Sequence, residues 1–549
     1  MVKSKKITGF YMKRFLLFPF LLTTSLLAES NDKITLEWLE KQPRSFAKDF
    51  YIWRYLDKDI TPQQSNEALS QVRYLNNKIL YKYISKSENV NLQDYKKCMR
   101  SKTKDLINKP AYCMEAGISM YDATKISNKD LDRVIKESKD EYPLFAQKLQ
   151  ILRAKIPFDQ LIEEDKETFF NTFNQCGGKY RVENFNHYIP TRVFKKLKKE
   201  KKFAQTIKLI VTNLKMRKAQ ISLLQMSPEG LSYASVFHLA INAIRHKKED
   251  LALVHLENAL GKAYFKMQKD NITFWQYQLT KDKKYLKALA NSWDVNMYSL
   301  FAQEMLEKEN TTIDFTLNQH KQKNSDYDIS NPFEWLKVLD RSKKMDSVKL
   351  DYYKNLFTTK DTLGHLAFVY ERYSKYKKSY FVTPYEKYLQ GISAKRRSLI
   401  YAIGRQESRF IPTSISSSYA MGTMQIMPFL SKAIAKDLKE SYDIDKQLEA
   451  KTNLRYANYH LGYLEKNVHH PLFIAYAYNG GIGFTKRLLK TKLFKKGKYE
   501  PFLSMELLPY DETKKYGKKV LANYFVYNNY LNTKNKVKFS TLIGNIQNL

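Results

Sequence analysis

VFHLAINAIRHKKEDLALVHLENAL, residues 236–260, decides how the first part of this chain is read. In its first half Val236, Leu239, Ala240, Ala243 and Ile244 recur at steps of three and four; in its second, Leu253, Leu256 and Leu260 do the same. Such spacing gathers each set on one face of a helix. Between them His246-Lys247-Lys248-Glu249-Asp250 is a polar turn, so the stretch reads as a helical hairpin with one apolar face per helix. Working outward, similar hairpins are expected around Leu69 to Ile84 and Phe145 to Ile156, with no fixed repeat length. A lone hairpin cannot bury its face, so irregular pairs stacked into a curved α-superhelix are predicted for residues 29–310.

The composition agrees. Gly (17) and Pro (15) are scarce in 549 residues, about half the usual joint share of roughly 12%, which leaves little room for an all-β plan. Apolar residues make up 43% and charged residues 27%, enough for substantial cores and unlike a disordered chain. The length implies several domains. An all-α protein is expected: the superhelix, a small helical linker domain over 311–381, more polar and broken at Asn331-Pro332 but helical again from Leu363 to Tyr373, and a compact last domain over 382–549, entered near Pro384.

At the N-terminus Lys3, Lys5, Lys6, Lys13 and Arg14 precede an apolar run from Phe15 to Leu27, with the small residue Ala28 before Glu29. This is the pattern of a cleaved export signal, residues 1–28. The run is shorter than the roughly 20 residues of a spanning helix, and no Cys at the junction suggests a lipid anchor. A periplasmic protein is expected. The formal net charge is +38, so anionic partners are favoured; for an exported protein these are wall peptides and membrane head groups, with other wall proteins as further contacts. No base-stacking motif points to nucleic acid. Of three cysteines, Cys98 and Cys113 flank a short polar loop and could close it, for about 3 kcal/mol, leaving Cys176 odd. No His or Cys spacing resembles a metal site, and no cofactor is expected.

In the last domain Leu399, Ile400, Ile403 and Glu407 share one helical face. A carboxyl group drawn into an apolar face has its pKa raised, which suits a general acid. Taken alone, the helix favours the plainer reading of a Glu407 at a fraying helix end, capped or paired with Arg405 or Arg409. Downstream, Ser414-Ile415-Ser416-Ser417-Ser418 leads into Ala420-Met421-Gly422-Thr423-Met424-Gln425-Ile426-Met427-Pro428. Then come Ala475-Tyr476-Ala477-Tyr478-Asn479-Gly480-Gly481 and Glu506-Leu507-Leu508-Pro509-Tyr510-Asp511-Glu512-Thr513.

These four segments, in this order, resemble the soluble lytic transglycosylases, whose catalytic domain is of the goose-type lysozyme kind. The family shows a Glu-Ser pair, Gly-Leu-Met-Gln-Ile-Met-Pro fifteen residues on, Ala-Tyr-Asn-Ala-Gly, and Glu-x-Ile-Pro-Phe-x-Glu-Thr. Here Glu407-Ser408 and Gly422 keep that spacing. The resemblance implies that Glu407 is the catalytic acid/base. It implies that Ser416, Met424, Gln425 and Met427 line the groove, that Tyr478 and Asn479 orient the Glu and the N-acetyl sugar, and that Glu506 assists at the cleft edge. Thr423, Gly480 and Ile482 depart from the family pattern, as do Ala457 and His460.

After Glu407 the next acidic residue is Asp437, so the motif loop supplies no second carboxylate of the kind that glycosidases place about 5 to 9 Å from the first. The substrate's own N-acetyl group must then help. The expected reaction is a lyase cleavage of the MurNAc-β-1,4-GlcNAc bond of peptidoglycan that leaves 1,6-anhydro-MurNAc. The alternatives are a muramidase that admits water, and a wall-binding scaffold with a residual catalytic domain. Because every motif falls after about residue 380, residues 376–549 are expected to fold and act alone, though more slowly.

Overall fold

The computed structural model describes residues 33–548 except 318, 320–325 and 492. The export-signal reading, residues 1–28, lies outside the described residues. Among the described residues the fold is mainly helical, and the only strands are the two-residue pair Ile313–Asp314 and Ser379–Tyr380. They run parallel, in register Ile313 with Ser379 and Asp314 with Tyr380, and so bring the two ends of the linker segment together. No described helix is long and apolar enough to cross a membrane.

Residues 236–260 form the hairpin that their spacing predicts, as helices Tyr233–Arg245 and Glu249–Lys262. The apolar set of the first helix is fully buried. In the second, the inner face is Ala252, His255, Leu256 and Ala259, while Leu253 and Leu260 are half-buried. Small alanines let the two backbones approach, and the leucines flank the seam instead of filling it. His255 is kept neutral there, its pKa pushed down to about 4 by burial. Pairs such as Asn128–Ser138 with Pro143–Arg153 and Lys266–Thr280 with Lys283–Ala290 pack in the same neighbour-on-neighbour way, building the superhelix. Cys98 and Cys113 are joined, with Cα atoms 5.0 Å apart, and Cys176 is free and buried.

The apolar interior is not divided at the expected domain borders. One core runs from Cys98 through the superhelix into the last domain as far as Ile546. Helix Met297–Met305 packs on helix Asp511–Leu531, and Lys208 pairs with Asp511 at 2.9 Å. A second core joins N-terminal residues Ile34, Leu39, Phe50, Ile52, Tyr55 and Ile79 to Tyr419, Met421 and Leu448. A third, in the linker, holds Trp335, Val338, Leu350, Tyr353, Phe357, Leu366 and Val369 together with Ile411.

Candidate active site

Glu407 is the last residue of helix Ala394–Glu407, which Ser393 caps by accepting from Arg396 N. Leu399, Ile400 and Ile403 are fully buried beneath it, as their shared face requires. The carboxyl group of Glu407 accepts one hydrogen bond, from Tyr516 Oη at 2.7 Å. Burial pushes its pKa up to about 7; the Tyr516 bond opposes the shift and the charge of Glu512 adds to it. Tyr516 itself, buried beside a carboxylate, is held well above its ordinary value and stays a neutral donor. Arg405 and Arg409 do not pair with Glu407; both turn to Glu371 of helix Leu363–Tyr373.

The chain then reverses sharply, with Arg409 and Phe410 both in the left-handed region (φ 58° and 67°). Ser408 fixes the reversal: its Oγ donates to Thr423 O at 2.7 Å and accepts from Ile411 N at 3.0 Å. This ties the Glu407 helix to the motif loop. The loop closes on itself through Met421 N to Ile426 O (3.0 Å) and Ile426 N to Met421 O (2.9 Å). Gly422 cannot be replaced there. Its φ is +82°, and a Cβ would lie 2.3 Å from Gln447 O and 2.4 Å from the Asn453 amide. Asn453, wholly buried, staples the loop by accepting from Met424 N (2.7 Å) and donating to Met421 O (3.0 Å).

The residues expected around the sugars fall into two groups. Gln425 is half-buried and braces the loop, donating to Ser414 O and Gly422 O, both at 2.9 Å. Ser416 Oγ accepts from Ala420 N at 2.9 Å, and Met427, half-buried, immediately precedes helix Pro428–Asp437. Tyr478 donates to Met424 O at 2.7 Å and lies within electrostatic reach of Glu407. Asn479 accepts from Thr513 Oγ1 at 2.7 Å and donates to Glu512 at 3.3 Å, so it faces the last motif. His460, its ring 5.8 Å from Tyr478 and 6.2 Å from Tyr463, extends a row of aromatic rings from that tyrosine.

Two expectations are corrected. Met424 is fully buried and packs on the helix floor at Gly404, so its side chain supports the groove rather than lining it. Glu506 is only 2% exposed and is no cleft-edge carboxylate. It pairs with Lys518 at 2.5 Å and accepts from Tyr298 at 3.2 Å, in the seam between superhelix and last domain. Burial would push its pKa up, but the charges of Lys518 and Lys514 hold it below the ordinary value. The acidic residue that acts on Glu407 is Glu512 instead.

A recess of about 340 Å³ opens at Glu407. Gln406, Ser408, Arg409, Ser414 and Lys519 line one side, and Trp335, Leu339 and Phe368 of the linker line the other. Among the described residues no group of three His, Cys, Asp or Glu could hold a metal ion. The site is thus one raised carboxyl group at the mouth of a recess, with a phenol donor behind it. That geometry lies in a stretch of chain with a known counterpart.

Residues 386–500 match the family model described as the transglycosylase SLT domain. The chain is also similar to the soluble lytic murein transglycosylase of Salmonella typhimurium, 30% identical over 141 residues. That alignment covers 25% of this chain and about a fifth (21%) of the relative. Among solved structures, the 70 kDa soluble lytic transglycosylase of Escherichia coli aligns with 95% of this chain and 86% of its own, at 16% identity and a TM-score of 0.48. An inactive variant of the lytic transglycosylase Slt from Pseudomonas aeruginosa aligns with 93% of this chain and 89% of its own, at 14% and 0.47. The SLT domain holds Glu407, the motif loop, Tyr478 and Asn479, but Tyr516 and Glu371 lie outside the matched residues. Neither stands in a motif segment, so nothing in the sequence around either marked it.

Proposed function

We propose that the chain is an exported, periplasmic lytic transglycosylase that cleaves the MurNAc-β-1,4-GlcNAc bond of peptidoglycan. The observation that carries this is Glu407: a carboxyl group with its pKa raised to about 7, bonded to one phenol and to no second carboxylate, inside an SLT domain. A group balanced between its two forms near neutral pH can both give and take a proton.

The protonated Glu407 gives its proton to the glycosidic oxygen as the C1–O bond breaks, freeing the GlcNAc 4-hydroxyl. The N-acetyl oxygen of MurNAc bonds to C1 and carries the positive charge as an oxazolinium ion. Glu407, now a carboxylate steadied by Tyr516, takes the proton of the C6 hydroxyl. Oxygen O6 then bonds to C1, the C1–O bond of the oxazolinium ring breaks, and the N-acetyl group is restored. The product is 1,6-anhydro-MurNAc, with Glu407 again protonated and no water consumed. Tyr478 and Asn479, anchored on the loop and on the last motif, hold the N-acetyl sugar in this reading, and the rings of His460 and Tyr463 offer faces for neighbouring sugars.

Mass spectrometry of muropeptides released from purified sacculi tests this reading. Anhydro ends are expected; reducing ends would make the chain a hydrolase, and no release would make it a scaffold. Glu407→Gln keeps the shape but cannot exchange the proton, so release should fall at least about 100-fold while the fold is kept. Turnover that needs protonated Glu407 should decline as pH rises through about 7.

A further inference from the structure

Glu371 is 2% exposed and belongs to the linker, yet both of its strong partners belong to the SLT domain. Its Oε1 accepts from Arg405 Nη2 at 2.5 Å and from Tyr380 N at 3.1 Å, and its Oε2 pairs with Arg409. Those two arginines stand two residues before and two residues after Glu407. Arg405 is further fixed by donating to Tyr380 O at 2.6 Å and by lying 4.2 Å over the Phe381 ring. Burial alone would push the Glu371 carboxyl up, but the two guanidinium charges hold it below its ordinary value.

A second contact from the same helix meets the same turn. Gly364, two turns before Glu371, lies so close to Arg409 and Phe410 that a Cβ would come within 2.8 Å of the Arg409 carbonyl oxygen. The left-handed pair Arg409-Phe410 is costly for side-chain-bearing residues, so something must hold it. Tyr385 Oη, donating to Phe410 O at 3.1 Å, and Ile411, buried in the linker core, hold its far side.

We propose that Glu371 is a positioning residue for Glu407: by clamping Arg405 and Arg409 from the linker it fixes where the end of the catalytic helix stops and where the Glu407 carboxyl group points. A bidentate carboxylate gripping two guanidinium groups sets distance and direction together. A shift of about 1 Å in a reacting group can cost on the order of 100-fold in rate. The linker is thereby part of the catalytic apparatus without touching the sugar.

This role rests on the glycan-cleaving reading, and the experiment separates the two. With soluble glycan strands as substrate, Glu371→Gln should lose at least about ten-fold in kcat with KM within about two-fold, since Glu371 itself does not line the recess. Its pH profile should also move. The groups that face Glu407 are Tyr516, Tyr478 and Glu512, with Arg405, Arg409 and Lys519 around the recess. Without the Glu371 charge, Arg405 and Arg409 favour the ionised form of Glu407, so the basic limb of kcat should shift to lower pH. Glu371→Asp keeps the charge and should restore the wild-type limb. A residue that merely stabilised the fold would lower the melting temperature and leave that limb in place. A folded Glu371→Gln protein with wild-type kcat and an unmoved limb overturns the proposal. If Glu371→Gln does not fold, Arg409→Lys decides: it keeps a positive charge beside Glu371 and leaves the Arg405 pair intact but loses the guanidinium grip, so kcat should fall several-fold, and wild-type kcat there overturns the proposal as well. An inactive wild-type chain would instead sink the glycan-cleaving reading itself.

Discussion

The turn that follows Glu407 and the loop 414–427 belong to one site, yet different parts of the chain hold them by different forces. The turn is seated on the linker through charge: Glu371 with Arg405 and Arg409, and the close approach at Gly364. The loop is seated on the N-terminal helices Phe46–Tyr55 and Asn77–Lys86 through rings and backbone. Tyr419 is buried with its ring centroid 5.7 Å from Phe50 and 5.4 Å from Trp53, and Met421 lies in the same core. Tyr419 Oη accepts from Asn76 at 2.9 Å and donates to Asp49 O at 3.3 Å, while Lys78 donates to Ser418 O at 2.7 Å. A buried ion network is exacting about direction and is badly hurt by losing one member. Apolar packing tolerates adjustment and contributes mainly stability. The seat at the linker should therefore read out in rate as well as in stability, and the seat at the N-terminus in stability alone.

Removing both seats at once should have the largest effect. Residues 376–549 contain every motif but lack Gly364, Glu371, Asp49, Phe50 and Asn76. Such a segment would leave Arg405 and Arg409 without their carboxylate and would expose the inner faces of Tyr419 and Met421. Although the motifs by themselves suggest an autonomous unit, the expected result is a poorly folded segment that releases no muropeptide from sacculi. Circular dichroism and the release assay check it; a cooperative, active segment would show that neither seat is needed.

A single methyl group tests the linker seat alone. In an ordinary helix Gly to Ala stabilises by up to about 1 kcal/mol. At Gly364 the added Cβ would press on Arg409 O and Phe410 Cβ, each 2.8 Å away. The sign should reverse, with a loss of about 1 to 3 kcal/mol from overpacking and a fall in kcat larger than any change in KM. Thermal melts and steady-state rates on soluble glycan strands measure both. A stabilised Gly364→Ala protein with unchanged kcat would mean that the turn can move without consequence.

These two seats also mark the limit of what the sequence reveals. The hairpin at 236–260 is legible because its periodicity is local, although the spacing favoured Leu253 and Leu260 where the chain buries Ala252, His255 and Ala259. Glu407 is legible because its helix and the loop fifteen residues on are both short-range patterns. Tyr516 reaches Glu407 from 109 residues away, Glu371 reaches Arg405 across 34, and Asn76 reaches Tyr419 across 343. No local period encodes such pairings. Glu506 shows the converse: it stands in a recognisable segment, yet Lys518 one helix later draws it into the interior. Motif position identified the segment and could not tell which of its carboxylates, Glu506, Asp511 or Glu512, would act on Glu407.

The smallest effect should come from the N-terminal seat. Tyr419→Phe keeps the ring among Phe50 and Trp53 and removes only the hydroxyl, leaving the Asn76 amide and the Asp49 carbonyl each short of one partner. A hydrogen bond of this kind contributes about 1 kcal/mol net, so the melting temperature should fall by a few degrees. The backbone bonds that shape the loop, Met421 with Ile426 and Gly422 N to Ser414 O, do not involve that hydroxyl. Neither does the Asn453 staple. Gln425 and the carbonyl group that receives Tyr478 should stay in place, and kcat should remain within about two-fold of wild type. If Tyr419→Phe instead lowered kcat ten-fold at nearly full stability, the N-terminal helices would be setting geometry as the linker does. The contrast between a charged seat for rate and an apolar seat for stability would then fail.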